Sequence, residues 1–356
     1  MNENFPIIDC DVHQTYQHHN ELVPYMDEPF KSRLAERGFG YPGGMYYSVV
    51  GGVRKDSFPE SGGTPGSDYQ LMRKQLLDHY NIKYAVLNGG AMLGVTLMTE
   101  QDYPAMLAKA YNDWLLETWI KYDDRFIGSM MIAAQNPLAA AEEIRRVGTH
   151  KRICQVIVSG VTPMPIGQRY FHPIFEACSD VGIPISFHPG GNQSSGTAPV
   201  PTPVGFPQYY LEWHTLLANV YMSQLTSMVV EGVFEKYPKL KAVFIEGGIS
   251  WLPALMWRLD KNYKALRQQT PWLKRLPSEY ILNHCKFTTQ PIEEPPKKKY
   301  LVEIFEMVNA EKTVMFSSDY PHWDFDDPYY IIRGMDNNLK ERVLYKNAAE
   351  LYGLEI

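Results

Sequence analysis

The chain has 356 residues and a formal net charge of −6, from 34 basic and 40 acidic residues, so it lacks the basic excess typical of nucleic-acid-binding proteins. With 45% hydrophobic and 21% charged residues, its composition excludes a disordered or fibrous chain. The 4 cysteines form no Cys-x-x-Cys pair, and no apolar run approaches the ~20 residues that a membrane span needs. We therefore expect a cytoplasmic globular protein that acts on a small molecule, without a nucleic-acid or membrane partner; whether it forms a homodimer is left open.

Short apolar runs rich in Val, Ile and Phe alternate along the chain with longer segments of helical periodicity. Because these runs do not alternate between polar and apolar residues, they are typical of strands buried on both faces. The predicted strands are Ile7–Val12, Lys83–Leu87, Phe126–Ile132, Ile153–Val158, Ile183–Phe187, Leu240–Ile245, Cys285–Thr289 and Thr313–Phe316. The predicted helices are Asp102–Lys121, Leu138–Val147, Tyr209–Tyr237 and Trp251–Arg267. Strands separated by helices in this way predict an α/β protein in which residues 1–356 form a single (β/α)8 TIM barrel.

The segment between the first two predicted strands, residues 14–67, is too long for a simple βα connection. It is rich in Gly, Pro, Tyr and Phe, and a loop of this length is usually functional or disordered. Its aromatic residues Tyr41, Tyr46, Tyr47 and Phe58 favour a folded flap over the mouth of the barrel. A second irregular stretch, residues 189–207, is rich in Pro and Gly and follows the fifth strand.

Titratable side chains follow four of the predicted strands. In a TIM barrel the catalytic residues lie at the carboxyl ends of the strands. The first strand ends in Asp11 and His13, the fifth in His188, the sixth in Glu246 and the eighth in Asp319. A buried carboxylate or imidazole is costly unless it is paired or bound to a metal. The two histidines, with Asp11 and Asp319, therefore predict a site for Zn²⁺ or Mn²⁺ that leaves positions for water and substrate.

Four further residues are candidate substrate contacts. His322 and Trp323 come just after the eighth strand, where a packed loop is the alternative interpretation. His214 lies in a predicted helix and could supply an imidazole near the sixth strand; a solvated helix histidine is the alternative. Arg258 follows Trp251 by seven residues on one helix face and could hold a substrate carboxylate, with a structural salt bridge as the alternative.

Four motifs in this order resemble those of the amidohydrolase-related family, the branch of the amidohydrolase superfamily that includes aminocarboxymuconate semialdehyde decarboxylase and the resorcylate-type decarboxylases. They are Ile-Asp-x-Asp-x-His at 8–13, His-Pro-Gly-Gly at 188–191, Glu-Gly-Gly-x-x-Trp-Leu-Pro at 246–253 and Ser-Ser-Asp-Tyr-Pro-His at 317–322. The resemblance extends to the closing segment Lys-Asn-Ala-Ala-Glu-Leu-Tyr-Gly at 346–353. It therefore covers nearly the whole chain.

The resemblance implies a metal-dependent TIM barrel in which Asp319 is both a ligand and a proton shuttle. It assigns the metal ligands to Asp11, His13, His188 and Asp319. Asp11 stands where many members have His or Glu, and Glu246 stands where the family has a catalytic histidine. The run Ile153–Ser159 contains no lysine, so the bridging carbamylated lysine of dinuclear members is missing and one divalent metal ion per chain is expected.

Two activities and one non-catalytic role fit these residues. The expected activity is hydrolysis of a small cyclic or aromatic carbonyl or carboxylate compound, in which Asp319 takes the proton of a metal-activated water. The alternative is a non-oxidative decarboxylase of an aromatic or muconate-like acid, in which an acid protonates the carbon that loses CO₂. Glu246 is the second acid–base candidate in either reaction. The third interpretation is a barrel that binds a metal without catalysing a reaction.

Overall fold

The computed structural model of the protein describes residues 5–39, 52–190, 202 and 204–356. Eight parallel strands pair in chain order, each with the next. The backbone N–H of Cys10 donates to Phe316 O (3.0 Å) and that of His13 to Tyr320 O (2.8 Å), so the segment after the eighth strand also joins the first. The predicted (β/α)8 barrel is confirmed, with strand boundaries within two residues of those predicted. The strands are β1 (Ile7–Val12), β2 (Ile82–Leu87), β3 (Phe126–Met131), β4 (Ile153–Ser159), β5 (Ile185–His188), β6 (Ala242–Phe244), β7 (Cys285–Thr288) and β8 (Val314–Met315).

Helices follow the strands and surround the barrel. No helix among the described residues is long and apolar enough to cross a membrane. The α-helices are α1 (Phe30–Arg37), α2 (Tyr69–Met72), α3 (Asp102–Glu117), α4 (Trp119–Tyr122), α5 (Pro137–Val147), α6 (His172–Val181), α7 (Tyr210–Thr215), α8 (Ala218–Val230), α9 (Val233–Lys236), α10 (Leu252–Leu266), α11 (Pro277–His284), α12 (Lys298–Met307), α13 (Ala310–Thr313), α14 (Pro328–Ile331), α15 (Asn337–Glu341) and α16 (Asn347–Tyr352). Short 3-10 segments span His19–Tyr25, Lys55–Ser57, Ala91–Leu97, Arg169–Phe171 and Arg267–Gln269, and π-helical turns span Arg73–Leu77 and Arg342–Lys346.

Two of the predicted helices are interrupted. The prediction of one helix over Tyr209–Tyr237 is wrong, because the segment forms α7, α8 and α9, and Gly232 between the last two has a left-handed φ of 74°. The predicted helix Asp102–Lys121 is divided at Thr118 into α3 and α4. The Thr118 hydroxyl donates to Trp114 O at 2.6 Å, a local bond that competes with the regular helix ladder.

The described parts of the long insertion contact the loops that follow β1 and β8. Val53 forms an isolated bridge with His322. Gly66 has a φ of +84°, and a Cβ at this position would collide with the carbonyl oxygen of His13, so glycine allows the insertion to pass close to the end of β1. Phe58, one of the predicted flap aromatics, is 57% exposed. The other three, Tyr41, Tyr46 and Tyr47, and most of the stretch 189–207 lie outside the described residues.

The core has an inner and an outer layer. The inner layer contains Ile8, Cys10, Val243, Ile245 and Met315, and the outer layer packs the strands against the helices. Tyr352 and Leu354 contact the inner layer and also the side chains at the beginning of β3 and β4. The C-terminal segment therefore closes the amino end of the barrel, and the carboxyl end is left for a site.

We expect Phe244→Ala to lower the free energy of unfolding by about 3–5 kcal/mol, because it removes a fully buried ring from the outer layer. The Phe244 ring stacks between those of Phe187 and Phe287 on the neighbouring strands, with centroids 5.2 and 5.5 Å away. Chemical denaturation measures the loss. The matched control is Phe206→Ala, since Phe206 is 51% exposed. Equal stability of the two variants would contradict this account of the core.

Candidate metal centre

Five side chains meet at the carboxyl end of the barrel. The ligand atoms of Asp11, His13, His188, Glu246 and Asp319 all lie within 4.8 Å of one another, and all five residues are buried. They come from the ends of β1, β5, β6 and β8, as expected from the positions that follow the apolar runs. The structure thus brings together every residue that the sequence placed in the metal site, and Glu246 with them.

Each imidazole of the cluster lies between two carboxyl groups. His13 Nε2 is 3.2 Å from Asp11 Oδ1 and 3.0 Å from Asp319 Oδ1. His188 Nε2 is 3.3 Å from Asp11 Oδ2 and 3.1 Å from Glu246 Oε2. The facing ring nitrogens and carboxylate oxygens therefore enclose a common point.

The protein alone does not balance the negative charge of this cluster. Burial, reinforced by the neighbouring Asp319, Asp324 and Asp11 carboxylates, raises the pKa of Glu246 well above its usual range. Burial also raises the pKa of Asp319, and the His322 ring offsets this only in part. For Asp11 burial is outweighed by His188 and His13, which bring its pKa below the usual range. Like charges in a buried place suppress one another's ionisation unless a cation is present.

The donor atoms of the cluster fit a divalent cation. His13 is 3% exposed, and neither of its ring nitrogens makes a hydrogen bond of normal geometry to any described residue. His188 Nδ1 lies 2.5 Å from Pro189 O, which places the proton on Nδ1 and presents Nε2 to the cluster. Asn88 Nδ2 donates to Asp11 Oδ1 at 2.7 Å and orients that carboxylate. Imidazole nitrogens oriented by such outer contacts, together with carboxylates, are the ligands that Zn²⁺ and Mn²⁺ take in proteins.

Two residues of the cluster have a left-handed backbone although neither is glycine. The φ angles are 59° at Glu246 and 62° at Asp319. The backbone N–H of Glu246 donates to Thr288 Oγ1 (3.1 Å) and that of Asp319 to Asp11 O (3.1 Å), and these bonds hold both turns. A conformation of this kind is costly for a residue with a side chain and is concentrated at functional sites. The backbone strain therefore falls on the two residues that sequence reasoning gave acid–base roles.

His322 and Trp323 lie at the mouth of the site, where the sequence placed them. His322 Nδ1 is 2.6 Å from Asp319 Oδ1, and its side chain is 32% exposed, so it connects the buried carboxylate with the solvent. The Trp323 indole N–H donates to the Tyr210 hydroxyl at 3.0 Å. Both residues line a cavity of about 250 Å³ above the cluster, whose wall also includes Leu93, Pro189, Tyr210, Trp213, Glu246 and Asp324.

A second polar group surrounds Asp324; sequence reasoning named its member His214 but missed Asp324 and Gln290. The Gln290 amide donates from Nε2 to Asp324 Oδ2 (2.8 Å) and to Asp319 Oδ2 (3.1 Å). His214 Nε2 is 3.1 Å from Asp324 Oδ2. The ligand atoms of His214, Glu246 and Asp324 all lie within 4.8 Å of one another, so His214 is close to Glu246 as well as to Asp324, although it does not line the cavity. Gln290 directly follows the predicted seventh strand. A search for amide as well as titratable side chains after the predicted strands would therefore have found it. Nothing in the sequence singles out Asp324.

The structure does not bring Arg258 to the mouth of the site, and its predicted role as the group that holds a substrate carboxylate stays untested. Arg258 is exposed on α10 and lines neither of the cavities found at the mouth among the described residues. The seven-residue spacing from Trp251 does place both on one helix face. However, a helix rises 1.5 Å per residue, so Arg258 lies roughly 10 Å further from the mouth.

The chain matches the sequence model of the amidohydrolase family over residues 8–354. It is 25% identical over 280 residues to the gamma-resorcylate decarboxylase of Rhodococcus jostii, which aligns 71% of this chain with 78% of that protein. It is 27% identical over 256 residues to the 2-amino-3-carboxymuconate-6-semialdehyde decarboxylase of Dictyostelium discoideum, with 70% and 67% of the two chains aligned. The structure of the dihydroxybenzoic acid decarboxylase from Polaromonas, with bound manganese and the inhibitor 2-nitroresorcinol, resembles this fold with a TM-score of 0.69 at 18% identity over 98% of this chain and 97% of that one.

We expect His188→Ala to lower the affinity for Mn²⁺ at least about tenfold, because a direct ligand contributes no less than the outer contacts that orient it. Elemental analysis of the protein after loading with Mn²⁺ and desalting measures the bound metal. His150→Ala is the control, since His150 is exposed on the surface. Full metal content in the His188 variant, with circular dichroism unchanged, would show that the ion is held elsewhere.

Proposed function

The chain belongs to the amidohydrolase family, and we propose that it is a metal-dependent, non-oxidative decarboxylase of an aromatic or muconate-like acid. The observation that carries this proposal is the position of Glu246, a buried carboxyl group with a raised pKa, beside the ligand cluster. The curated relatives named above are decarboxylases, which favours the alternative function predicted from the sequence over hydrolysis. The small cavity above the cluster suits a single-ring substrate.

We assign the metal to the ligands predicted from the sequence, which are Asp11, His13, His188 and Asp319. A divalent cation at this place would supply the positive charge that binds the carboxylate and a neighbouring oxygen of the substrate. The manganese in the Polaromonas structure supports Mn²⁺ over Zn²⁺. Strand β4 contains Gln155 but no lysine, which supports one ion rather than two.

Glu246 is the proton donor in this proposal. Its raised pKa favours the protonated form, from which it can donate to the ring carbon that carries the carboxylate. When that carbon has gained the proton, the bond to the carboxylate breaks, its electron pair returns to the ring and CO₂ leaves. Glu246 is then a carboxylate and regains its proton from water. A carboxylic acid thus stands at the position where the resemblance places a catalytic histidine.

Asp319 and His322 form the second acid–base pair. Gln290 fixes Asp319 Oδ2, and His322 contacts Oδ1 at 2.6 Å. Because His322 is partly exposed, it can exchange a proton between Asp319 and the solvent. The pair would also suit hydrolysis, where Asp319 would take the proton of the attacking water, and the product analysis below separates the two reactions.

We also propose that residues 1–356 form one domain in which the insertion 14–67 acts as a flap. Gly52 lines the cavity above the cluster, and Val53 lines an adjoining cavity of about 480 Å³ together with Tyr16 and Phe39. Such a flap would exclude water while the ring carbon is protonated. Trp213 and Trp323 offer the flat apolar surface that a ring needs.

We expect the protein loaded with Mn²⁺ to release CO₂ from a member of a panel of hydroxybenzoates that includes 2,6-dihydroxybenzoate. In D₂O the product should carry one deuterium at the carbon that lost the carboxylate, because the donated proton comes from an exchangeable group. Labelled CO₂ and NMR of the product measure both events. Cleavage of esters, lactones or amides of the same rings without CO₂ release would contradict decarboxylation and support the hydrolase.

We expect Glu246→Gln to keep its metal and to lose ~10²–10⁴-fold in kcat, since the amide keeps the shape but cannot donate the proton. Metal content and kcat are measured on the same sample. Glu303→Gln, at an exposed position of α12, is the control. Asp319→Asn should differ by losing metal affinity as well, because Asp319 is assigned as a ligand. Unchanged turnover of the Glu246 variant would place the proton donor elsewhere.

A further inference from the structure

The cavity above the cluster has no lysine or arginine in its wall. All 34 basic residues of the chain belong to the described part, because residues 1–4, 40–51, 191–201 and 203 contain none. None of the 34 lines this cavity or the adjoining one. A second carboxylate on a substrate would therefore find no guanidinium or ammonium group of this chain to neutralise it.

Arg54 follows Val53 at the mouth, but its guanidinium group is already paired with Asp56. Its Nε and Nη2 atoms contact Asp56 Oδ1 and Oδ2 at 3.0 and 2.8 Å in a two-pronged ion pair. Its guanidinium also lies 4.8 Å from the ring centroid of Phe325. The positive charge of Arg54 is thus used within the loop structure.

The wall has instead an ionised carboxylate, that of Asp324. Although burial opposes it, the hydrogen bond from His214 holds the pKa of Asp324 below its usual range. The Gln290 amide donates to the same oxygen as His214, which fixes the side chain at the cavity. Asp324 therefore presents a carboxylate, held by His214 and Gln290, in the part of the wall that is not assigned to the metal.

Aromatic rings pack around His214, the partner of Asp324, and line the same cavity as Asp324. The Tyr210 ring stacks on His214 at 5.5 Å and meets Trp213 at 5.4 Å, and the Trp323 ring lies 5.4 Å from His214. The faces of tyrosine and tryptophan rings attract cations, and a carboxylate shielded from water attracts an ammonium group and repels an anion. The two features together distinguish substrates by the charge at the end remote from the metal.

We propose, on the basis of the decarboxylase function proposed above, that the substrate is an aromatic acid with a single carboxylate and a protonated amine at its far end. The carboxylate faces the ligand cluster. The amine is received by Asp324 and by the ring faces of Tyr210, Trp213 and Trp323. Dicarboxylic acids are disfavoured because their second carboxylate would stand against Asp324 without a lysine or arginine to neutralise it.

The test is the binding of three benzoates that differ only in one group: aminomethyl, hydroxymethyl or a second carboxylate, each at the meta and at the para position. Isothermal titration of the protein loaded with Mn²⁺ measures each Kd. We expect the better aminomethyl isomer to bind at least about tenfold more tightly than either dicarboxylate, with hydroxymethyl between them. A dicarboxylate that binds as tightly as the aminomethyl compound, or no binding by any of the six, would overturn the proposal.

Two variants show whether Asp324 and the rings cause the preference. Asp324→Asn should reduce the ratio between the aminomethyl and dicarboxylate Kd values at least about fivefold, because it removes the fixed charge. The matched control Asp326→Asn should leave the ratio unchanged, since Asp326 accepts from the Ile292 N–H (2.8 Å) and does not line the cavity. If the Asp324 variant fails to fold, Trp323→Leu at a half-exposed position should raise the aminomethyl Kd at least about threefold. An unchanged ratio in a folded Asp324 variant, or an unchanged Kd in the Trp323 variant, would contradict the proposal.

Failure of this proposal and failure of the proposed function give different results. Binding is measured without turnover. Tighter binding of the aminomethyl compound, combined with no CO₂ release from any acid, would contradict the decarboxylase function and support the proposed charge preference. Rapid release of CO₂ from a dicarboxylic acid would keep the decarboxylase and overturn the substrate class.

Discussion

The structure depends on the cost of burying several carboxyl groups at one point. Asp11, Glu246 and Asp319 converge at the mouth of an apolar barrel, where water cannot screen them. Carboxylates this close cannot all ionise without a compensating charge. Two imidazoles that face them, one of which has no hydrogen bond of normal geometry, complete a donor set that a divalent cation would stabilise. The raised pKa of Glu246, the strained backbone at two of these residues and the outer contacts of Asn88 and Gln290 all accompany this arrangement.

The barrel brings these groups together by closing on itself. Asp9 accepts hydrogen bonds from the Ser318 N–H (2.9 Å) and hydroxyl (2.5 Å), which ties β1 to the segment after β8 and places Asp11 next to Asp319. Burial raises the pKa of Asp9 to about 7, so this tie is formed by a carboxyl group that is itself costly to ionise. The C-terminal Tyr352 covers the opposite end of the barrel and donates to the buried Gln155 at 2.8 Å. The barrel is thus closed at its amino end, and its polar groups are concentrated at the carboxyl end.

The site is chemically divided into two halves. One half has the proposed metal ligands, and the other has Asp324 among aromatic rings with no lysine or arginine in the wall. Glu246 lies between the halves: His188 contacts it on the metal side, and the charge of Asp324 helps to raise its pKa on the other. The same carboxylate that is proposed to select the substrate also contributes to the raised pKa of the proposed acid, so specificity and proton transfer would be coupled through Coulomb repulsion.

The sequence by itself determined the eight strands, the barrel and the residues that converge at its mouth. The strands and the site residues are both predicted from short stretches of sequence. A buried strand is an apolar run, and a site residue in this fold directly follows such a run. The metal and proton roles of Asp11, His13, His188, Glu246 and Asp319 stay predictions, although the structure brings all five together. Only the tertiary structure decided what depends on contacts between distant segments. In the fold, Asp324 contacts Gln290 and His214, which lie 34 and 110 residues away along the chain. Arg258 lies away from the mouth of the site. The predicted helix Tyr209–Tyr237 is interrupted, in part at Gly232. Hydrogen bonds between such segments, and the depth of a residue along a helix, leave no periodic trace in the sequence, because they are set by how the elements pack and not by their local composition.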